Sequence, residues 1–279
     1  MRQNVSKQLS MWNSELFRLT AKFGQNKIGL YASYIPRLLA RSLRPQMGKF
    51  RLSTYGVWLT SKPGDLTFDM CVDGSYGPFY FDYIANLPRC TFLDIGSNIG
   101  LYSLIAHRNR EIANIYSFEP NPEINAYLVE NLVFNGCARV IPIVKAISSS
   151  SGVFVLKTFS GHSGKSSLRE DIKTEVPDGE MKIETANEKL LDDLLADNTD
   201  PVAIKIDVEG HELVVLETLR RSKLWPRVFS LFFEVDERYL DLEKVLELLD
   251  TSGFSRKAKI GDKVHYDLLY ERRGDLVEK

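Results

Sequence analysis

The sequence runs to 279 residues, 44% hydrophobic and 26% charged, the balance of a globular chain with apolar material for one sizeable core, which excludes a disordered or fibrous protein. Three scattered cysteines, Cys71, Cys90 and Cys137, have no C-x-x-C spacing, so neither a disulfide framework nor a zinc knuckle fits, and reduced thiols in a cytoplasmic setting are expected. The net charge of −1 hides an asymmetry: residues 1–51 hold ten Lys/Arg against one acid, Glu15, which makes them about +9 and the remainder about −10.

The first fifteen residues mix Arg2, Lys7 and Glu15 with polar residues, unlike the apolar centre of a secretory signal. The apolar stretch Ile28–Ala40 is interrupted by Pro36 and Arg37 and falls short of the ~20 residues a bilayer requires. Helices are expected around residues 8–23 and 29–42, then a strand-like segment from Phe50 to Met70 punctuated by Pro63-Gly64, then a turn at Asp73-Gly-Ser-Tyr-Gly-Pro. Residues 1–90 therefore read as a basic helical arm and capping region. The arm suits a solvated cap, or peripheral contact with an anionic membrane face or substrate carrier through residues 1–51.

From Thr91 the pattern changes. Near-continuous apolar runs at Phe92–Ile95, Ile115–Phe118, Val140–Val144, Val202–Ile206 and Val228–Phe233 suit parallel strands covered on both faces. Helical stretches alternate with them at Ile99–Arg108, Glu123–Asn135, Glu188–Ala196, His211–Leu219 and Leu242–Ser252. Such alternation implies right-handed βαβ units and a doubly wound, mostly parallel sheet. Gly253–Ile260 and Val264–Tyr270, joined by Gly261-Asp262, predict a terminal antiparallel hairpin. Residues 91–279 are thus expected to form one α/β domain whose outline resembles Rossmann-like class I methyltransferases. The apolar Trp225-Pro226 and Phe229–Phe233 stretches suit either core or a face between copies in an oligomer.

In such sheets ligands bind at the carboxyl ends of strands, near the point where strand order reverses. After the first strand comes Asp94-Ile-Gly96-Ser97-Asn98-Ile-Gly100. Gly96 there allows close approach of a cofactor to the backbone, and Gly100 lets the following helix pack closely. The dinucleotide fingerprint needs a third glycine at the pyrophosphate, so its absence favours S-adenosylmethionine over NAD. After the second strand, Phe118-Glu119-Pro120-Asn121 places an acid 25 positions beyond Asp94, near the spacing at which a carboxylate accepts ribose hydroxyls. The third strand leads to Val144-Lys145-Ala146, where Ala146 is a candidate flank for adenine. Ser160-Gly-His-Ser-Gly-Lys-Ser-Ser167 lacks the glycine spacing of a phosphate loop and reads as a loop over cofactor or substrate.

The richest chemistry follows the fourth strand, at Ile204-Lys205-Ile206-Asp207-Val208-Glu209-Gly210-His211-Glu212. Alternation puts Lys205 and Asp207 on one face of the strand. His211 opens a helix, where the dipole disfavours imidazolium and leaves a neutral base. His211 is the first candidate for general base and Asp207 the second, with Glu209 orienting and Lys205 beside them. A divalent metal is the alternative means of activating a hydroxyl, with Asp207 and either Glu234 or Asp236 as candidate oxygen ligands.

Phe92-Leu-Asp-Ile-Gly-Ser-Asn-Ile-Gly-Leu-Tyr-Ser, Phe118-Glu-Pro-Asn-Pro and Ile204-Lys-Ile-Asp-Val-Glu-Gly-His-Glu together resemble the FkbM family of S-adenosylmethionine-dependent methyltransferases, over roughly residues 70–270. The resemblance implies O-methylation of hydroxyls on sugars, glycolipids or natural products, and leaves the basic arm unaccounted for. Two rival classes remain: an NAD-dependent oxidoreductase, for which none of the twelve tyrosines has a lysine four positions on, and a non-catalytic cofactor-binding protein. A nucleic-acid acceptor is not expected, since the pI of about 6.5 lies far below the basic range of such binders.

Overall fold

The structure, a computed structural model, describes residues 45–169, 176–261 and 264–274. The helices expected at 8–23 and 29–42, most of the basic arm, and Asp262 of the expected hairpin turn lie outside these residues. The chain divides into two compact units between Phe81 and Asp82.

In the first unit, strands β1 (Gln46–Met47), β2 (Phe50–Leu52) and β3 (Trp58–Thr60) form an antiparallel meander followed by helix α1 (Leu66–Asp73). The strand-like segment expected through Met70 therefore ends at Thr60, and its second half is helical. The cause is local: the Asp65 carboxylate accepts from Phe68 N–H as an N-cap, and Thr67, Phe68, Cys71 and Val72 recur at helical spacing to form one buried face. Helix α2 (Pro78–Ala85) follows the turn expected at Asp73–Pro78.

The second unit continues with β4 (Cys90–Ile95), α3 (Leu101–Arg108), β5 (Ile112–Phe118), α4 (Pro122–Phe134) and β6 (Val140–Ile143). Next come β7 (Ala146–Ile147), β8 (Gly152–Thr158), β9 (Gly179–Ala186) and α5 (Glu188–Leu194). The chain closes with β10 (Val202–Ile206), α6 (Glu212–Arg221), β11 (Val228–Asp236), α7 (Leu242–Thr251), β12 (Phe254–Ile260) and β13 (His265–Arg272). Seven strands make one sheet in the order β12-β13-β11-β10-β4-β5-β6. The five from β11 to β6 are parallel, and β13 pairs antiparallel with both β11 and β12, so the doubly wound sheet and its terminal hairpin are both present.

The alternation that sequence periodicity implies is visible in the core. Leu93, Ile95, Ile204, Ile206, Leu231 and Phe233 face Leu191 of α5, Val215 and Leu219 of α6 and Val245 and Leu249 of α7. Helix α3 contacts β4, β5 and β6. Trp225 and Phe229–Phe233 belong to the core: Trp225 packs on Phe254 at 5.4 Å and Phe233 stacks on Tyr270 at 5.9 Å. A second small sheet, β7-β9-β8, was not apparent in the sequence, because Val153, Phe154 and Val155 are exposed one after another and give β8 no two-residue alternation.

Chain order runs outward from β4 through β5 to β6, then returns to β10 on the other side of β4. The reversal between β4 and β10 is the crevice where ligands of open α/β sheets bind.

Candidate active site at the β4/β10 switch point

Gly96 follows β4 with φ of +74°, and a Cβ there would lie 1.8 Å from the Asp207 carbonyl oxygen, which follows β10. The small residue is thus demanded by the neighbouring strand end as well as by any cofactor. Gly100, φ +86°, caps the start of α3, and a Cβ on it would meet the end of the Leu128 side chain on α4. Between them Asn98 holds φ of +49° and its side chain accepts from Ile99 N–H at 2.8 Å. Ser163 Oγ donates to the same Asn98 oxygen at 3.3 Å, which brings the Ser160–Ser167 loop onto the glycine turn.

Asp94 and Lys205 are register partners on β4 and β10 and are both buried. Lys205 Nζ donates to the Gly96 carbonyl at 2.5 Å and lies 3.4 Å from Asp94 and 3.6 Å from Asp207. Burial opposes the ammonium, but Asp207 and Asp94 outweigh it and hold the Lys205 pKa above the ordinary lysine value. Ser103 of α3 donates to Asp94 at 2.6 Å and is itself hydrogen bonded to Ser117. These contacts give Asp94 and Lys205 the task of fixing the turn from below, one on each of the two strands that meet there.

Glu119, at the end of β5, accepts from Asn98 N–H and Asn121 N–H, each at 2.9 Å, one on each carboxylate oxygen. It therefore ties the glycine turn to the start of α4, whose own N-cap is Asn121 and whose first position is Pro122. Burial pushes the Glu119 pKa up to about 7, against the lowering by these two N–H groups and Lys205. A folded value above the ordinary 4.5 means that ionising Glu119 opposes folding, so its contribution to stability declines as pH rises from 4.5 through about 7. Each oxygen keeps a second lone pair for a ligand hydroxyl. Ser97 Oγ, in the same turn, is buried with no hydrogen-bond partner among the described residues. A spare donor and a carboxylate with spare acceptor capacity suit the polar half of a nucleoside. Pro120 and Ala146 are partly buried; Ala146 opens β7 and pairs with Thr185.

Beyond β10, Asp207, Glu209 and Glu234 each place one carboxylate oxygen within 4.8 Å of the others. Burial and neighbouring carboxylates raise the pKa of Glu209 and Glu234. Asp267 on β13 is the direct cross-strand neighbour of Glu234, and burial followed by Glu234 and Asp207 pushes it up to about 7. His265 hydrogen bonds Glu234 at 2.6 Å, which raises the imidazole to about 9. The sequence reading did not include Asp267 or His265, which reach the cluster only through antiparallel pairing of the last strand. Asp236 is taken instead by Arg238, through both guanidinium and backbone donors, and does not join the cluster.

Glu212 Oε1 accepts from Val208 N–H and Gly210 N–H, both at 3.1 Å, and thereby folds the loop that carries Glu209 at φ +53°. Ser167 Oγ donates to the Glu209 carbonyl at 2.7 Å, a second anchor from the Ser160–Ser167 loop. His211 is the N-cap residue of α6. Its Nε2 and the buried Ser148 Oγ share a hydrogen bond of 3.0 Å, and burial lowers its pKa, which keeps the ring neutral. Nδ1 has no partner among the described residues.

A doubly wound sheet with a terminal antiparallel hairpin, a glycine turn after its first parallel strand and an acid after the second define a Rossmann-like class I methyltransferase. The methyltransferase FkbM domain model matches residues 94–256, and the chain belongs to this family. It is 29% identical over 198 residues to methyltransferase sdnD of Sordaria araneosa, covering 61% of this chain and 76% of that protein. It is 35% identical over 130 residues to hexuronic acid methyltransferase AglP of Haloferax volcanii, covering 46% of this chain and about half, 49%, of that protein. It is 28% identical over 193 residues to 31-O-demethyl-FK506 methyltransferase FkbM of Streptomyces tacrolimicus, covering 60% and 74%. The protein is a methyltransferase, so the oxidoreductase alternative falls. Among the described residues no helix is long and apolar enough to cross a membrane.

Proposed function

We propose that the protein methylates a hydroxyl of a sugar, glycolipid or natural-product acceptor, with S-adenosylmethionine as donor. The observation that carries this reading is the contact of Gly96 with the Asp207 carbonyl, which sets the expected cofactor turn directly against the acid-rich run ending in His211. Two relatives are named for a hexuronic acid and for 31-O-demethyl-FK506, and both names fit a hydroxylated acceptor.

Glu119 would bind the ribose hydroxyls and Ser97 a further polar atom of the nucleoside. S-adenosylmethionine supplies a methyl group already activated on a sulfonium. The acceptor oxygen would take that methyl group and give up its own proton to the protein. His211 would receive the hydroxyl proton on Nδ1; the bond between its Nε2 and Ser148 supports this by orienting the ring. Carboxylates at Asp207, Glu209 and Glu234 hold acceptor hydroxyls, an alignment task that contributes on the order of 7–11 kcal/mol in well-oriented reactions.

Calorimetric titration with S-adenosylmethionine, S-adenosylhomocysteine and NAD tests the cofactor. The sulfonium and its product should bind and NAD should not. Glu119→Ala should weaken S-adenosylmethionine binding by about 1.5–3 kcal/mol, roughly ten- to a hundredfold in Kd; binding of NAD alone would end this reading. His211→Ala should lower kcat by about 10²–10⁴ with cofactor affinity retained. Full turnover in that variant would place the base elsewhere.

A further inference from the structure

Arg108 closes α3, Arg110 lies in the connection to β5, and Arg139 immediately precedes β6, so the chain brings three arginines to the amino end of the sheet. With His107 and Ala113 they line an open cavity of about 660 Å3. The glycine turn and Glu119 lie at the opposite end of β5, whose 7 residues span about 20 Å. Residues 52–279 carry 26 Lys/Arg against 36 Asp/Glu, so a cavity with three arginines and no acid in its lining runs against the charge of the body. Among the described residues neither Arg110 nor Arg139 is paired with a carboxylate.

Structural demand accounts for part of the cluster. Arg139 donates to the carbonyls of His107, Ile112 and, at 3.3 Å, Asn109, and so closes the end of α3. Those contacts use three of the five N–H donors of a guanidinium and leave two. The negative end of the α3 dipole amounts to about half a charge, too little to offset three guanidiniums. Burial pushes the Cys137 thiol up to about 11, and Arg108 and Arg139 both act against it, so the two guanidiniums reach one place. Burial, and then Arg139, hold His107 below the ordinary histidine pKa, and its Nδ1 is buried with no hydrogen-bond partner among the described residues.

We propose that the cavity lined by Arg108, Arg110 and Arg139 binds the phosphate monoester or diphosphate group of a phosphorylated ligand, at a second site remote from methyl transfer. Guanidinium forks engage phosphate oxygens in pairs, and a group with two or more negative charges matches three arginines. The volume falls within the ~300–1,000 Å3 of small-molecule sites, which leaves room for the body that carries the phosphate. None of these residues belongs to the glycine turn or to the run ending in His211, so the site stands apart from the methyl-donor reading.

Calorimetry of the full chain with inorganic pyrophosphate, in a buffer free of phosphate, tests the site apart from activity. One pyrophosphate per chain should bind, and Arg108→Gln/Arg110→Gln should weaken it at least about tenfold. Arg220→Gln/Arg221→Gln, an equal loss of charge at the exposed end of α6, should leave it unchanged, with circular dichroism to verify folding. Proton NMR follows His107, assigned by the signal lost in His107→Asn; pyrophosphate should raise its pKa, because the anion offsets Arg139. Phosphatidylcholine vesicles with and without phosphatidic acid distinguish the source of the phosphate. Sedimentation that needs phosphatidic acid, is reversed by pyrophosphate and is lost in Arg108→Gln/Arg110→Gln assigns it to a lipid headgroup. Pyrophosphate binding without such sedimentation assigns it to a soluble ligand. The site is overturned if no pyrophosphate binds at millimolar concentration, if it binds without moving His107, or if the two double variants bind it equally well.

Discussion

Lys205→Met should destabilise the protein by about 3–5 kcal/mol, the cost of breaking a buried ion pair and leaving its partner charges uncompensated. The lysine side chain is 3% exposed and Asp94 is 0% exposed, so water cannot replace the ammonium. Three contacts go at once: the Gly96 carbonyl loses its donor, and Asp94 and Asp207 lose their shared cation. Denaturant unfolding of variant and parent measures the loss. Arg221→Met is the control, because its pair with Glu188 is exposed at 43% and 29% and a surface pair contributes about 0–1 kcal/mol. Equal effects in the two variants would show that Lys205 does not brace the turn. A folded Lys205→Met protein with normal cofactor affinity and abolished turnover would return the residue to the chemical role the sequence suggested.

Gly96→Ala should abolish detectable cofactor binding and cost about 2–5 kcal/mol, from ~1–2 kcal/mol for a Cβ in the left-handed region and ~1–3 kcal/mol for overpacking. The obstructing atom is a backbone oxygen, Asp207 O at 1.8 Å, flanked by the Asp207 carbonyl carbon at 2.9 Å, so relief requires separating the ends of β4 and β10. Gly100→Ala provides the comparison. It shares the positive φ, but its nearest obstruction is Leu128 Cδ1, the far end of a side chain that can rotate away. Thermal unfolding and S-adenosylmethionine calorimetry on both variants should rank Gly96→Ala as the more damaging. The reverse ranking would mean that the β4/β10 junction is more pliable than its geometry implies.

Both predictions concern a place where the sequence was informative about position and less so about task. Asp94, Gly96, Glu119, Lys205, Asp207 and His211 all lie at the carboxyl edge of the sheet, where the run of apolar strands and following polar turns had put them. Yet Gly96 is constrained by a neighbouring carbonyl, and Lys205 by Asp94 across the ladder, and neither partner is near in sequence. Likewise the Ser148 hydroxyl bonded to His211 comes from 63 positions earlier, and no local pattern marks it.

The sequence by itself determined the α/β class, the five parallel strands, the closing hairpin and the family, because continuous apolar runs and helical periodicity are local signals that survive without coordinates. It also located the glycine turn and the acid after the second parallel strand, Glu119, whose spacing is set within one βαβ unit. Tertiary structure decided what depends on register between distant strands. The pairing of β11 with β13 sets Asp267 opposite Glu234 and brings His265 onto it, while Arg238 withdraws Asp236. It also decided that Phe229–Phe233 is core, since a buried strand and an exposed apolar face share one composition and differ only in what packs against them. Charge clustering follows the same rule: a carboxylate's surroundings come from the sheet's strand order, which reverses at β4 and β10 and so collects residues from across the domain at one edge.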